Sequence, residues 1–210
     1  MKMYNREYYI YNIPVFVYGK TEPGLNIPHF CSLVESTLPQ RLLRNVEVCY
    51  ICEDPILDGR NATYSDGAIY MDINEPTESD LLENFIHEVA HSVEHTLGSE
   101  IFDDRLAAEF LGKRRRLYHL LREEGYDEIP EHLYQYTEYN ATFDNFLANV
   151  VGYPELLSLT MGLFASPYGA TSLQEYFANG FEKYYTNSPN YVKSISPILY
   201  SKIRNVLNND

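Results

Sequence analysis

The sequence predicts an α+β fold in which a small mixed sheet is followed by a helical C-terminal half. Three observations predict this fold class. Short β-rich segments separated by turn residues fill the first third of the chain, an amphipathic helix begins near residue 77, and helical spacing of apolar residues recurs from there to the C-terminus. With 210 residues, the chain can bury a sufficient core as a single domain over 1–210.

The first third of the chain contains the segments that we expect to form the sheet. Alternating and β-branched residues mark the strands, and clusters of Gly, Pro, Asn and Asp mark the loops. Pro14 interrupts the first β-rich run, which is therefore an edge strand or two short strands. The predicted elements are a β-rich run over 7–18, a helix over 29–38, a strand over 42–51, a loop over 54–65 and, after the turn signal Asp66-Gly67, an edge strand over 67–72.

The next segment has the pattern of an amphipathic helix. Thr77 is a suitable N-cap, and Gly98 is the expected C-terminal stop. The apolar residues at helical spacing are Leu81, Leu82, Phe85, Ile86, Val89, Ala90 and Val93. The middle of this helix reads His87-Glu88-Val89-Ala90-His91, the His-Glu-x-x-His pattern. Residues four apart share a helix face, so both imidazoles can reach one metal ion, with Glu88 beside it to accept a proton from water.

The rest of the chain is predicted to be helical. A long helix over 103–124 has a basic middle, Lys113–Arg116, which we expect to be a solvated face because the chain as a whole is acidic. Apolar residues from Phe143 to Val151 predict another helix, which Gly152 would end. Two further helices are predicted, one over 154–164 and a last one over about 191–207 that begins near Pro189.

Two histidines leave a catalytic zinc site one protein ligand short. His95 cannot complete the site together with His87 and His91, because eight residues of straight helix span about 12 Å and ligand atoms lie about 2 Å from zinc. The extended pattern His-Glu-x-x-His-x-x-Gly-x-x-His also fails, since Glu94 stands where it needs Gly and Leu97 where it needs His. We therefore expect His95 at the surface or near the site without a bond to metal.

Two downstream glutamates are the candidates for the third ligand. Glu109 follows His91 by 18 residues, and Glu175 follows it by 84. Both lie on predicted helices. Glu109 precedes the basic run and can equally form a surface ion pair with Lys113 at i+4. The helical pattern by itself leaves both glutamates open.

The segment around Glu175 resembles the third-ligand region of the anthrax lethal-factor-like zinc peptidases, which include the Pro-Pro endopeptidases. In that family, the ligand Glu opens a Glu-x-Phe-Ala-x-x-Phe helix, and a catalytic Tyr stands seven residues before the Glu. Tyr168 stands seven residues before Glu175 here. The residues after Glu175 that match the pattern are Phe177, Ala178 and Phe181. The resemblance covers about residues 60–207, but only the motif segments are close.

This resemblance implies a zincin-like fold and a zinc metalloendopeptidase with Zn²⁺ as its cofactor. It implies that His87, His91 and Glu175 are the zinc ligands. It further implies that Glu88 is the general base and that Tyr168 stabilises the oxyanion. In such peptidases the substrate lies extended along an edge strand beside the zinc helix, which the residues 67–72 would supply by β-augmentation. The interval between the motifs is longer than the family's usual one, and we attribute it to an insertion over about 125–160.

Composition restricts the partners and the compartment. The net charge of −14 argues against nucleic acid and anionic membranes as primary partners and favours neutral or basic peptides. The chain contains no apolar run long enough to span a membrane and no recognisable signal peptide, so we expect a cytoplasmic protein. Export without a cleavable signal and packaging into a phage particle are both compatible with this sequence.

The cysteines predict no disulfide framework. Cys49 and Cys52 have the spacing of half a zinc finger, but no second pair is present. In a strand, residues three apart face opposite sides, so these two thiols do not share a face. We expect them and Cys31 to be buried.

Two other functions remain open from the sequence. The chain can be a catalytically silent zincin-fold protein with a structural or assembly role, such as a component of a phage particle that binds other proteins of a larger assembly. It can also be a zinc hydrolase that acts on a cell-wall peptide. Zinc without turnover on any peptide would favour the first alternative, and a peptide-library screen separates the second from a protein peptidase.

Overall fold

The computed structural model describes residues 5–208. The chain divides into two compact units, Met1–Thr96 and Leu97–Asp210. The first unit contains a five-stranded mixed sheet, one helix and most of a second, and the second unit is built from helices and 3₁₀ turns. The predicted α+β class, with a small mixed sheet and a helical C-terminal half, is confirmed.

The sheet of the first unit has the strand order β1-β2-β3-β5-β4. The three inner strands, β2, β3 and β5, are parallel to one another, and each edge strand is antiparallel to its neighbour. Residues 7–18 form two short strands rather than one, as Pro14 allowed. The strands are β1 (Asn5–Ile10), β2 (Ile13–Tyr18), β3 (Val48–Cys52), β4 (Ala62–Ser65) and β5 (Ala68–Asp72).

The strand predicted over 67–72 is present as β5, but its predicted position at the edge of the sheet is wrong. Asp66 and Gly67 both have positive φ, 47° and 85°, which is the geometry of a two-residue hairpin turn. The turn joins β5 to β4, which lies within the segment predicted as a loop and takes the outer position beside β5. Because β4 has only four residues, it carries too little apolar alternation to be recognised from sequence.

The predicted strand over 42–51 begins too early. Gln40–Leu43 forms a 3₁₀ turn in which Leu42 and Leu43 are buried, and β3 starts only at Val48. Apolar residues of a buried 3₁₀ turn resemble a strand in sequence because both place neighbouring side chains in the core.

One face of the sheet belongs to the core of the first unit. Alternate residues of the three parallel strands, among them Val15, Cys49 and Ile69, are fully buried. On the opposite face, half-buried rings form a row in which neighbouring ring centroids lie 5.2–6.3 Å apart. This row consists of Phe16, Tyr18, Tyr50 and Tyr70. The expected burial of the three thiols is confirmed, since Cys31, Cys49 and Cys52 are free and buried.

Helix α1 (Ile27–Thr37) and helix α2 (Glu78–Ile101) contribute the helical part of this core. Phe30 of α1 meets Phe85 of α2 edge to face, with centroids 5.9 Å apart. Thr77 caps α2 as predicted, accepting a hydrogen bond from the N–H of Asp80 at 3.2 Å. Gly98 is not the stop, however. The helix continues to Ile101, and burial of the Ile101 side chain stabilises the additional turn.

The second unit contains the end of α2, from Leu97, and then α3 (Asp104–Glu123), which agrees with the predicted long helix. A π-helical segment, Phe146–Gly152, ends at Gly152 with φ 83°, as its glycine predicted. The remaining helices are α4 (Ala141–Asn145), α5 (Tyr153–Thr160), α6 (Leu173–Thr186), α7 (Pro189–Ile195) and α8 (Pro197–Asn208). None of the helices in the described residues is long and apolar enough to cross a membrane.

The last helix, predicted as continuous, is two helices. Pro197 has no N–H to continue the α7 ladder, and it occupies the first position of α8, where a missing N–H costs nothing. Glu109 of α3 then caps α8, because its carboxylate accepts hydrogen bonds from the N–H groups of Ile198 at 2.9 Å and Leu199 at 3.0 Å.

The basic run in α3 is only partly the predicted solvated face. Arg115 and Arg116 are exposed, but Lys113 and Arg114 are buried. Lys113 donates hydrogen bonds to three oxygens, those of the Leu163 and Ile195 carbonyls and the Ser196 hydroxyl. The Arg114 guanidinium lies 4.0 Å from the centroid of the Phe143 ring and donates to backbone carbonyls. Backbone carbonyl oxygens thus accept hydrogen bonds from both buried cations.

Candidate metal site

The two histidines of the His-Glu-x-x-His pattern face each other on α2. The Nε2 atoms of His87 and His91 lie 3.2 Å apart, and the ring centroids lie 4.9 Å apart. Two imidazole nitrogens bound tetrahedrally at 2.0–2.1 Å from zinc would be separated by about 3.3 Å. The i, i+4 spacing therefore places both nitrogens at a separation that one zinc ion can span.

Glu175 joins this pair in a group that can hold a metal ion. One ligand atom from each of His87, His91 and Glu175 lies within 4.8 Å of the other two. Each of the three side chains is partly exposed. Two imidazoles and one carboxylate are a donor set typical of catalytic zinc. The residues present therefore fit zinc.

Local sequence explains the position of Glu175. It lies in the first turn of α6, where Ser172 is the N-cap and its hydroxyl accepts a hydrogen bond from the Glu175 N–H at 3.1 Å. A carboxylate in the first turn is favoured by the positive end of the helix dipole. Asn179, one turn later, donates to the Glu175 carbonyl oxygen at 2.8 Å.

Glu88 lies between the histidines and is directed towards strand β4. Its side chain is buried, with 7% of the residue exposed, and its Oε2 accepts a hydrogen bond from the Tyr64 backbone N–H at 2.7 Å. The Tyr64 hydroxyl donates to the Asn45 carbonyl oxygen at 3.1 Å, which anchors the same strand residue a second time. The carboxylate thus has a fixed orientation, while the imidazoles on either side remain partly exposed.

Glu94 is a further carboxylate close to the histidines. Its Oε2 lies 3.3 Å from Nδ1 of His91, the ring nitrogen on the side away from His87, and its side chain is only 7% exposed. In the sequence, Glu94 stands out only as a mismatch to an extended motif. Its i+3 spacing from His91 was the signal that could have identified it.

Tyr168 lies in a short 3₁₀ turn, Tyr168–Ala170, that precedes α6. Burial, followed by the negative charge of Glu175, raises the pKa of its hydroxyl. The hydroxyl therefore stays protonated near neutral pH and can act as a hydrogen-bond donor. Two bonds hold its backbone, because both the N–H and the hydroxyl of Thr171 donate to the Tyr168 carbonyl oxygen, at 3.0 and 2.8 Å.

Arg114 holds the segment between Tyr168 and Glu175 in place. Its guanidinium donates to the carbonyl oxygens of Thr171 at 3.4 Å and Tyr136 at 3.0 Å. A buried arginine can thus position a loop of the candidate site from a helix far away in sequence. No sequence signal identifies this role, since the arginine lies inside a run that is typical of a solvated surface.

The other candidates from sequence have different positions. Glu109 is bound by the Tyr176 hydroxyl at 3.0 Å and by the α8 N-terminus, so its carboxylate serves a structural contact. Glu109 is half-buried and also acts on Lys113 four residues later, since burial lowers the pKa of Lys113 to about 8 and the charge of Glu109 opposes that shift. His95 is exposed, in agreement with the helix-length argument.

No family model matches this chain, and neither a curated protein nor a solved structure is significantly similar to it. The functional conclusion therefore depends on the residues of the chain itself.

Proposed function

We propose that this protein is a zinc metallopeptidase that hydrolyses peptide bonds. The observation that carries the proposal is the grouping of His87, His91 and Glu175 donor atoms within 4.8 Å, with Glu88 next to the first histidine. This donor set suits zinc, and the intervening glutamate is the residue that peptidases with this pattern use as a base. The resemblance to the lethal-factor-like peptidases supports the same three ligands.

Each remaining residue has a role that its environment supports. When bound, zinc would supply a water of lowered pKa and a polarised carbonyl. Glu88 accepts the proton of the attacking water and passes it to the leaving amine. Tyr168, whose hydroxyl is held protonated, donates a hydrogen bond to the carbonyl oxygen as negative charge develops there.

The substrate strand in this proposal is β4, not β5. β4 is the outer strand, so one of its edges has no partner strand among residues 5–208. The N–H of Tyr64 points to that edge, towards Glu88, and alternation in an antiparallel pair directs the backbone groups of Ala62 to the same side. An extended peptide that pairs with β4 would therefore lie close to the general base.

The metal assignment is tested by measuring zinc per chain with elemental mass spectrometry. Wild type, Glu175→Ala and Glu109→Ala are purified in parallel, and Glu109→Gln is added because it retains an acceptor for the α8 N-terminus. We expect about one zinc in wild type and both Glu109 variants, and loss of zinc only in Glu175→Ala. A wild type without zinc, or loss confined to the Glu109 variants, refutes the assignment.

The activity is tested with a peptide library and the variant Glu88→Gln. This substitution keeps the side-chain volume and both histidines but removes the base, so we expect bound zinc and no detectable turnover. Cleavage by Glu88→Gln at the wild-type rate contradicts the mechanism. Zinc in wild type without cleavage of any peptide contradicts the peptidase and favours a structural role.

A further inference from the structure

Glu94 is a buried acid that the proposed mechanism does not use. Its carboxylate lies one turn along α2 from His91, and its Oε2 is 3.3 Å from His91 Nδ1. The side chain is 7% exposed, whereas that of His91 is 23% exposed. Burying a carboxylate has a cost in free energy, which an interaction with an imidazole N–H offsets.

The geometry assigns the two ring nitrogens of His91 to different partners. Nε2 is directed at His87 and Nδ1 at Glu94. A neutral imidazole carries one proton, and a carboxylate accepts only from the nitrogen that bears it. A carboxylate at Nδ1 therefore favours the tautomer with Nδ1–H, which leaves the Nε2 lone pair available for a metal.

We propose that Glu94 is a positioning residue that fixes the Nδ1–H tautomer and the ring orientation of His91 for metal binding through Nε2. This inference rests on the proposed metal site, and it adds a fourth side chain that tunes the affinity without contacting the metal. A hydrogen bond to a carboxylate also makes the imidazole a stronger ligand for a metal ion. Loss of such a partner typically weakens metal binding 10–100-fold.

The experiment compares Glu94→Ala and Glu94→Gln with wild type. Glu100→Gln is the matched control, because it removes an exposed acid of the same helix and keeps the net charge equal to that of Glu94→Gln. Zinc affinity is measured by competition with a chromophoric chelator. We expect the dissociation constant to rise about 10–100-fold in Glu94→Ala. We expect a smaller rise in Glu94→Gln, whose amide oxygen can still accept from Nδ1–H, and no change in Glu100→Gln.

A second measurement separates positioning from simple loss of stability. In the metal-free chain, ¹⁵N NMR distinguishes the two neutral imidazole tautomers. We expect His91 to be mainly Nδ1–H in wild type and Glu100→Gln, and to shift towards Nε2–H in Glu94→Ala. An unchanged tautomer together with wild-type zinc affinity in Glu94→Ala overturns the inference. If wild type binds no zinc, the proposed function fails, but the tautomer measurement still decides the role of Glu94.

Discussion

The backbone N–H of Tyr64 donates a hydrogen bond of 2.7 Å to Oε2 of Glu88. The outer strand of the sheet is thereby connected to the acid inside the His-Glu-x-x-His pattern. The proposed general base needs a defined orientation, and this bond supplies one from a backbone N–H, which proline alone among the substitutions at residue 64 would remove. The peptide group of residue 64 therefore belongs to the candidate site, although its side chain faces elsewhere.

Replacing the 63–64 amide by an ester, through incorporation of the hydroxy-acid analogue of tyrosine, removes this N–H. A hydrogen bond to a charged group contributes about 1.5–3 kcal/mol, so we expect kcat to fall roughly 10–100-fold. Zinc content should stay at the wild-type value, because both histidines are untouched. Tyr64→Phe is the control, since it removes only the hydroxyl bond to the Asn45 carbonyl oxygen. An ester variant with unchanged kcat would show that the bond has no role in catalysis.

Tyr168→Phe is expected to separate turnover from metal binding. Removal of one donor to a developing oxyanion typically lowers kcat by about 10²–10³-fold. We expect that loss with unchanged zinc content and a KM close to that of wild type. Tyr153→Phe is a matched control, because that tyrosine is 48% exposed and has no assigned role. Equal kcat values for Tyr168→Phe and Tyr153→Phe would exclude Tyr168 from the mechanism.

Gly180 in α6 has no space for a side chain. A Cβ at this position would lie 2.3 Å from Cδ2 and 3.0 Å from Cγ of Leu199 in α8, which is fully buried. We expect Gly180→Ala to lower the free energy of unfolding by about 1–3 kcal/mol, as overpacking does. Chemical denaturation measures it, and the loss should be smaller in a Leu199→Ala background because the clash is then absent.

Gly112 in α3 is the contrasting glycine. It lies in a helix interior, it is exposed, and a Cβ there would meet nothing within 4 Å. Alanine is favoured over glycine at such positions, so Gly112→Ala should raise the free energy of unfolding by roughly 0.5–1 kcal/mol. If both glycine variants shift stability in the same direction, the packing of α6 against α8 is not as described.

The buried thiol of Cys31 makes stability depend on alkaline pH. Burial, assisted by the charge of Glu35, raises its pKa to about 11 from an ordinary value of 9.0. Between these two values the unfolded thiol ionises first, so the folded state holds more protons and stability falls as pH rises. Relative to Cys31→Ala, wild type should lose on the order of 1 kcal/mol between pH 8 and 10.5, because partial contact with solvent weakens the effect. Parallel pH profiles for the two proteins would contradict this.

The spacing of apolar residues predicted most features of helix α2 but not its C-terminal end. The recurrence of apolar residues and the cap at Thr77 predicted the helix, and the pattern within it predicted that His87 and His91 share a face. The C-terminal end of the helix was predicted wrongly at Gly98. A glycine ends a helix only where tertiary contacts do not stabilise a further turn. Here Ile101 is buried, and the helix extends to it.

The candidate site was predictable where its chemistry depends on local spacing. The i, i+4 histidines and the intervening Glu88 can be read along the chain, whereas Tyr168 and Glu175 were singled out only by the resemblance to the lethal-factor-like peptidases. Arg114 and Tyr64 could not be found in this way. Arg114 acts through carbonyl oxygens of distant residues, and Tyr64 acts through a backbone N–H whose direction depends on strand pairing.

The sequence by itself determined the α+β class, the helix that carries both histidines and the donor types available to a metal, because each depends on residues a few positions apart. Only the tertiary structure decided that β4 rather than β5 is the outer strand, that Glu109 caps α8, and that Glu94 meets His91 with its carboxylate buried. These outcomes depend on which distant backbone groups need partners and which surfaces exclude water, and neither property is encoded in local periodicity.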